Sequence, residues 1–141
     1  MPLDNESTPV SKKILWAGRI MSSLPALFLL FGGVMNLVRP NFVVEGAVEM
    51  GYSEQVIRPL GIVLLVCTPL YLLPRTAVLG AILLTGYLGG AVATHVRAGD
   101  GPIEMFFPVV FGALLWGGLV LRDLRLRSLV PWRRHTPRDP E

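Results

Sequence analysis

The side chains able to do acid–base or ligand chemistry cluster at the ends of apolar runs. Asn36 ends one such run, His95 and Arg97 close another, Asp100 and Glu104 follow across a brief turn, and Glu45 and Glu49 lie in a mixed segment just before Tyr52. A carboxylate, an imidazole and a guanidinium gathered at one mouth would suit an anion, a quinone head group or a small polar substrate. An imidazole changes charge near neutral pH, so His95 could also pass a proton. Tyr87, Ala91, Thr94 and His95 share one stripe of a helix, a line of hydroxyls and an imidazole running from mid-span to the edge. His95, Glu45 and Glu49 are therefore the acid–base candidates, and Asn36, Tyr87, Thr94 and Arg97 the ligand-binding candidates. A plainer reading makes the charges ordinary interfacial groups and the hydroxyls links to backbone carbonyls or neighbouring helices. The sharper reading requires a carboxylate of Glu45 or Glu49 within hydrogen-bonding or water-bridged reach of His95, with Arg97 on the same rim.

Much other chemistry is excluded. Cys67 is the only cysteine, so one chain can form no internal disulfide, CxxC redox pair or cysteine-based zinc or iron–sulfur site. His95 is the only histidine near an apolar run, which leaves a haem a single candidate ligand. Metal clusters, nucleophile–base pairs, Walker loops and dinucleotide fingerprints are missing from the sequence. No metal and no cofactor is expected, a quinone being the one candidate ligand of that kind.

The elements that must position these residues follow from composition. Of 141 residues 52% are hydrophobic and 16% charged, and the mean hydropathy is +0.55. A soluble domain this short could not hide so much apolar surface, so lipid is the expected solvent. Apolar runs over about 14–38, 56–73, 76–96 and 103–121 each approach the roughly 20 residues that cross about 30 Å of hydrocarbon. The mixed stretch between the first two suits a short amphipathic helix on the membrane surface; Glu45 and Glu49, four apart, share its polar face, and Gly51 stops it. The expected fold is all-α, an integral membrane four-helix bundle over residues 14–121. A loose tail over residues 1–13 precedes it, and a basic tail over residues 122–141 follows.

An even number of spans puts both basic ends on one side of the membrane. Ten of the 13 Lys and Arg residues gather there, including Arg75 in the tight link between the second and third spans. The positive-inside rule makes that side cytoplasmic, with both termini in the cytoplasm of a multi-pass cell-membrane protein. Trp16, Tyr71 and Trp132 mark the same boundary, while Phe42, Tyr52, Phe106 and Phe107 mark the opposite one. The pI near 9.5 does not point to nucleic acid, because the basic residues flank apolar runs instead of lining a soluble face. Helices in lipid pack through small residues, and the Gly86 and Gly90 step on the third span predicts a close helix crossing, within the bundle or in a homodimer. A leucine at Gly90 would then force the bundle apart.

Three segments carry a family resemblance: LFGGVMNLVRPNFVVEGAVEMGY, LLPRTAVLGAILLTGYLGGAVATHVRAGD and FGALLWGGLVLRDLRLRSLVP. They resemble the DoxX-like family of small membrane proteins from the first span to Pro131. The resemblance implies a four-helix bundle in the cell membrane. Because the family takes its name from a subunit of a sulfur-oxidising, quinone-reducing membrane complex, it also implies a membrane subunit or anchor beside an oxidoreductase partner, binding a quinone or lipid-like ligand. Among the matching positions, Glu45, His95 and Arg97 have chemical capacity beyond backbone geometry. The alternative is a stand-alone membrane isomerase, hydrolase or cyclase using acid–base residues at the outer mouth of the bundle.

Overall fold

The computed structural model describes residues 12–123, 125 and 126. Of the tails expected over residues 1–13 and 122–141, residues 1–11, 124 and 127–141, Trp132 and His135 among them, lie outside the described residues. Five helices follow one another: α1 (Lys12–Val38), α2 (Asn41–Glu49), α3 (Glu54–Leu72), α4 (Ala77–Ala98) and α5 (Pro102–Arg122). No strand occurs among the described residues. The four long helices each carry a stretch long and apolar enough to cross a membrane, and α2 is the short connecting helix. Lys12 and Lys13 form the first turn of α1 and are not part of a tail.

The long helices form a four-cornered ring. α1 packs on α3 and α5, α4 packs on the same two from the other side, and α2 rests on α3. Only 22–33% of each span's apolar window is buried inside the protein. Trp16, Leu24, Phe31, Val66 and Ile82 instead point outward and exposed. A water-soluble bundle would bury such side chains; here the surrounding hydrocarbon takes them.

One end of the ring is tightly closed. It carries the start of α1, the α3–α4 turn and the end of α5, and is called the basic end for Lys12, Lys13, Arg19, Arg75 and Arg122. A Cβ on Gly18 would lie 2.8 Å from the Cβ of Leu121, and one on Gly118 would strike the hydroxyl and backbone of Ser22. One on Gly80 would collide with the backbone of Tyr71. These glycines let α1 meet α5, and α4 meet α3, at backbone distance. Tyr71 fills the space between them and is wholly buried. Its single phenolic proton goes to the Leu115 carbonyl, 2.8 Å away, because that oxygen can only accept; Tyr71 then accepts from the Ser22 hydroxyl at 2.9 Å. Arg122 donates to the Tyr71 carbonyl and lies 4.6 Å over its ring. Four helices are tied through one side chain and its backbone.

The predicted crossing at Gly86 and Gly90 is not found within the bundle. A Cβ at Gly86, Gly89 or Gly90 would meet nothing within 4 Å. Close approach occurs at Gly18, Gly33, Gly61, Gly80 and Gly118 instead. The GxxxG step leaves a gap where a neighbour was expected.

Candidate functional site

That gap is a cavity at the other end of the bundle, under α2. Its larger lobe, about 520 Å³, lies between α4 and the apolar face of α2, which contributes Phe42, Val43, Ala47 and Met50. Its smaller lobe, about 380 Å³, extends toward α1 and α5 and is walled by Phe28, Phe107 and Phe111. Those rings form a contiguous aromatic cluster with centroids 4.6–5.6 Å apart. Asn36, Tyr87, Ala91 and His95 line both lobes and mark the seam between them. The periodic stripe Tyr87, Ala91, Thr94 and His95 therefore faces the cavity.

Local packing explains each position. Asn36 stands where α1 crosses α3: a Cβ on Gly61 would lie 2.8 Å from the Asn36 Cβ and from the Gly33 carbonyl, so only paired glycines admit this approach. The sequence pattern singled out no role for Gly33 or Gly61, although their spacing from Asn36 sets how deep it sits. Asn36 and Tyr87 are half-buried, and neither side chain hydrogen-bonds to another described residue.

Two glycine turns aim polar side chains at α4. At the end of α2, Gly51 takes φ +84°, its N–H bonds the Val48 carbonyl and the Tyr52 N–H bonds the Ala47 carbonyl. At the end of α4, Gly99 takes φ +75°, its N–H bonds the Val96 carbonyl and the Asp100 N–H bonds the His95 carbonyl. Both are Schellman turns, in which a left-handed residue folds the chain back over the last helical turn. The first brings the Tyr52 hydroxyl onto the Thr94 hydroxyl, which itself donates to the Gly90 carbonyl. Tyr52 must then be the donor to Thr94, since each hydroxyl has one proton. The second brings Asp100 Oδ2 to 2.6 Å from His95 Nδ1.

The carboxylate at His95 is therefore Asp100, not Glu45 or Glu49. Glu45 and Glu49 are exposed, because the face of α2 turned to the cavity is its apolar one. Glu45 lines a separate polar crevice with Arg39, Glu54 and Arg58, where Arg39 pairs with Glu54 at 2.9 Å. Arg97 is also outside the cavity lining: its Nη2 donates to the Met50 carbonyl at 3.2 Å and ties the end of α2 to α4. Sequence reasoning missed Tyr52 and Asp100 as partners. The available signal was the glycine before each, at the end of a helical pattern.

Chemically, the cavity offers an amide, a phenol and an imidazole around an apolar interior. A proton on Nδ1 shared with Asp100 leaves Nε2 of His95 as the basic nitrogen. Among the described residues no three His, Cys, Asp or Glu side chains converge to hold a metal ion. Away from the cavity, Thr85 accepts the Trp116 indole N–H at 2.8 Å and donates to the Ala81 carbonyl, joining α4 to α5 structurally.

No curated protein and no solved structure matches the chain. The model of the DoxX-like family matches residues 20–118, from the third turn of α1 through most of α5. With that match laid over four apolar helices, the chain belongs to the DoxX-like family and is a multi-pass membrane protein.

Proposed function

We propose that the cavity binds a membrane-soluble ligand with a small hydrogen-bonding head, of the quinone class, and that the protein is a membrane subunit or anchor beside an oxidoreductase. The observation that carries this reading is the pair Asn36 and Tyr87, polar groups without a partner among the described residues, lining a largely apolar cavity. A half-buried amide or phenol left unsatisfied is costly, and a ligand oxygen would relieve that cost. Quinone oxygens only accept, which suits the Asn36 amide N–H and the Tyr87 O–H. An isoprenoid tail suits the lobe beside Phe28, Phe107 and Phe111. His95, oriented by Asp100, is the group able to give or take a proton at the head. The electrons for any reduction come from the partner oxidoreductase. Family membership supports the same reading.

The distribution of Lys and Arg supports a cytoplasmic basic end in the cell membrane. A reporter fused after Glu141 that works only outside the cytoplasm should stay silent, and activity there would reverse this orientation. For the ligand, the purified full chain in nanodiscs is titrated with a short-chain ubiquinone and followed by native mass spectrometry. One quinone per chain is expected, weakened about tenfold by Asn36→Leu and abolished by Gly90→Leu, which fills the cavity. Equal binding by the parent and Gly90→Leu would rule this cavity out. Purification in mild detergent should bring down a flavin-, haem- or iron–sulfur-bearing subunit in stoichiometric amount; its absence would remove the anchor role.

The 2.6 Å contact between His95 and Asp100 also supports a second reading, a stand-alone isomerase, hydrolase or cyclase acting on an apolar substrate. Cells carrying His95→Ala would then accumulate one lipid-soluble species relative to the parent, with normal levels of folded protein. An unchanged lipid extract would argue against it.

A further inference from the structure

The basic end holds a second crevice, about 720 Å³, independent of the cavity under α2. Arg19, Arg122 and Arg125 line it, and Asp123 is the one carboxylate among the described residues that lines it with them. The Asp123 Oδ1 accepts the Arg125 backbone N–H at 2.9 Å. Arg19 and Arg122 have no carboxylate partner among the described residues; the ion pairs formed there, Arg39 with Glu54 and His95 with Asp100, lie at the other end. The crevice also reaches Ala77, the first residue of α4, whose N-terminus has no side-chain cap. A helix N-terminus adds positive potential to that already supplied by the arginines.

The surroundings distinguish a lipid phosphate from a free anion. Arg19 sits inside the apolar run of α1, with its guanidinium 5.7 Å over the Trp16 ring. Trp16, Ile20, Leu24 and Phe31 continue along α1 as an exposed apolar ridge. A cation at the root of an uncovered hydrocarbon ridge offers one molecule a phosphate contact and an acyl contact together. An arginine set among the apolar residues of a span gains from a counter-ion, and a headgroup phosphate is the one a bilayer supplies. Arg122 keeps further N–H groups after its bond to the Tyr71 carbonyl. We propose that this crevice holds the phosphate of an anionic phospholipid from the adjoining leaflet, between Arg19 and Arg122, with an acyl chain along α1. Since Arg122 also clamps Tyr71, the lipid stabilises the knot that closes the bundle.

The test titrates the full chain in detergent with dioctanoyl phosphatidylglycerol, dioctanoyl phosphatidylcholine and inorganic phosphate, reading binding by native mass spectrometry and stability by thermal melting. Phosphatidylglycerol should bind about tenfold more tightly than phosphatidylcholine and raise the melting temperature, and inorganic phosphate should compete poorly. Arg19→Gln should weaken phosphatidylglycerol about fivefold, Arg19→Lys should restore most of that loss, and Lys12→Gln should change it less than about twofold. Should Arg122→Gln fail to fold, the Arg19 variants carry the test alone. Equal affinity for the two lipids, or equal losses from Lys12→Gln and Arg19→Gln, would overturn the proposal in favour of diffuse charge. Inorganic phosphate competing as well as phosphatidylglycerol would make this a free-anion site and overturn the lipid.

Discussion

Glycines occupy both halves of α4 and meet opposite surroundings. A Cβ at Gly80 would strike the backbone of Tyr71, whereas one at Gly86 or Gly90 would meet nothing within 4 Å. Tyrosines differ in the same way. Tyr71 is wholly buried and bridges Ser22 to the Leu115 carbonyl, while Tyr52 closes over Thr94 at the rim of a cavity. Along α4, the small residue at the basic end brings helices together and those toward the α2 end keep space open, while Gly33 and Gly61 still close α1 onto α3 beside that space. Small residues lower the cost of close approach in lipid, but whether a neighbour takes the opening depends on the tilt of the adjacent helices.

The contrast is broken most directly by putting leucine at each glycine. Gly80→Leu forces α3 and α4 apart and should cost more than about 3 kcal/mol, seen as loss of a monodisperse peak in detergent gel filtration. Gly90→Leu should keep that peak and lose ligand binding alone. Unfolding of Gly90→Leu would show that a second copy of the chain covers this face of α4.

A smaller effect sharpens the tyrosine pair. Tyr71→Phe leaves Ser22 and the Leu115 carbonyl without their buried partner and should cost about 1–3 kcal/mol in thermal unfolding. Tyr52→Phe should cost less than about 1 kcal/mol, because Thr94 retains its bond to the Gly90 carbonyl and water can replace the phenol at an open rim. Equal losses would mean the rim is as dry as the knot.

The smallest expected change is a gain. Thr68 is fully buried beside the knot, and its hydroxyl has no partner. Thr68→Val keeps the shape and removes the unsatisfied group, and should stabilise the protein by up to about 1 kcal/mol. A loss would reveal an interaction of that hydroxyl with water or with a neighbouring backbone.

The four long helices were legible in the sequence because crossing hydrocarbon demands an unbroken apolar run of fixed length, and that demand does not depend on neighbours; α2 was legible from its amphipathic spacing and the glycine that stops it. The stripe of Tyr87, Ala91, Thr94 and His95 was legible for a similar reason, since helical periodicity alone puts those residues on one face. Their partners were not. Glu45 and Glu49 were expected near His95, and the apolar face of α2 turned them away, because covering Val43, Ala47 and Met50, which are half-buried, is favoured over burying carboxylates. Asp100 and Tyr52 took their places through left-handed turns at Gly99 and Gly51; the sequence marks Gly51 as a helix stop, but not which neighbour the turn would aim the next side chain at. The Gly86 and Gly90 step shows the harder limit. Spacing establishes that a helix face is narrow, but only the packing of α1, α3 and α5 decides whether that narrow face is filled by a neighbouring helix or left as a cavity, because in lipid the same small side chains permit either arrangement.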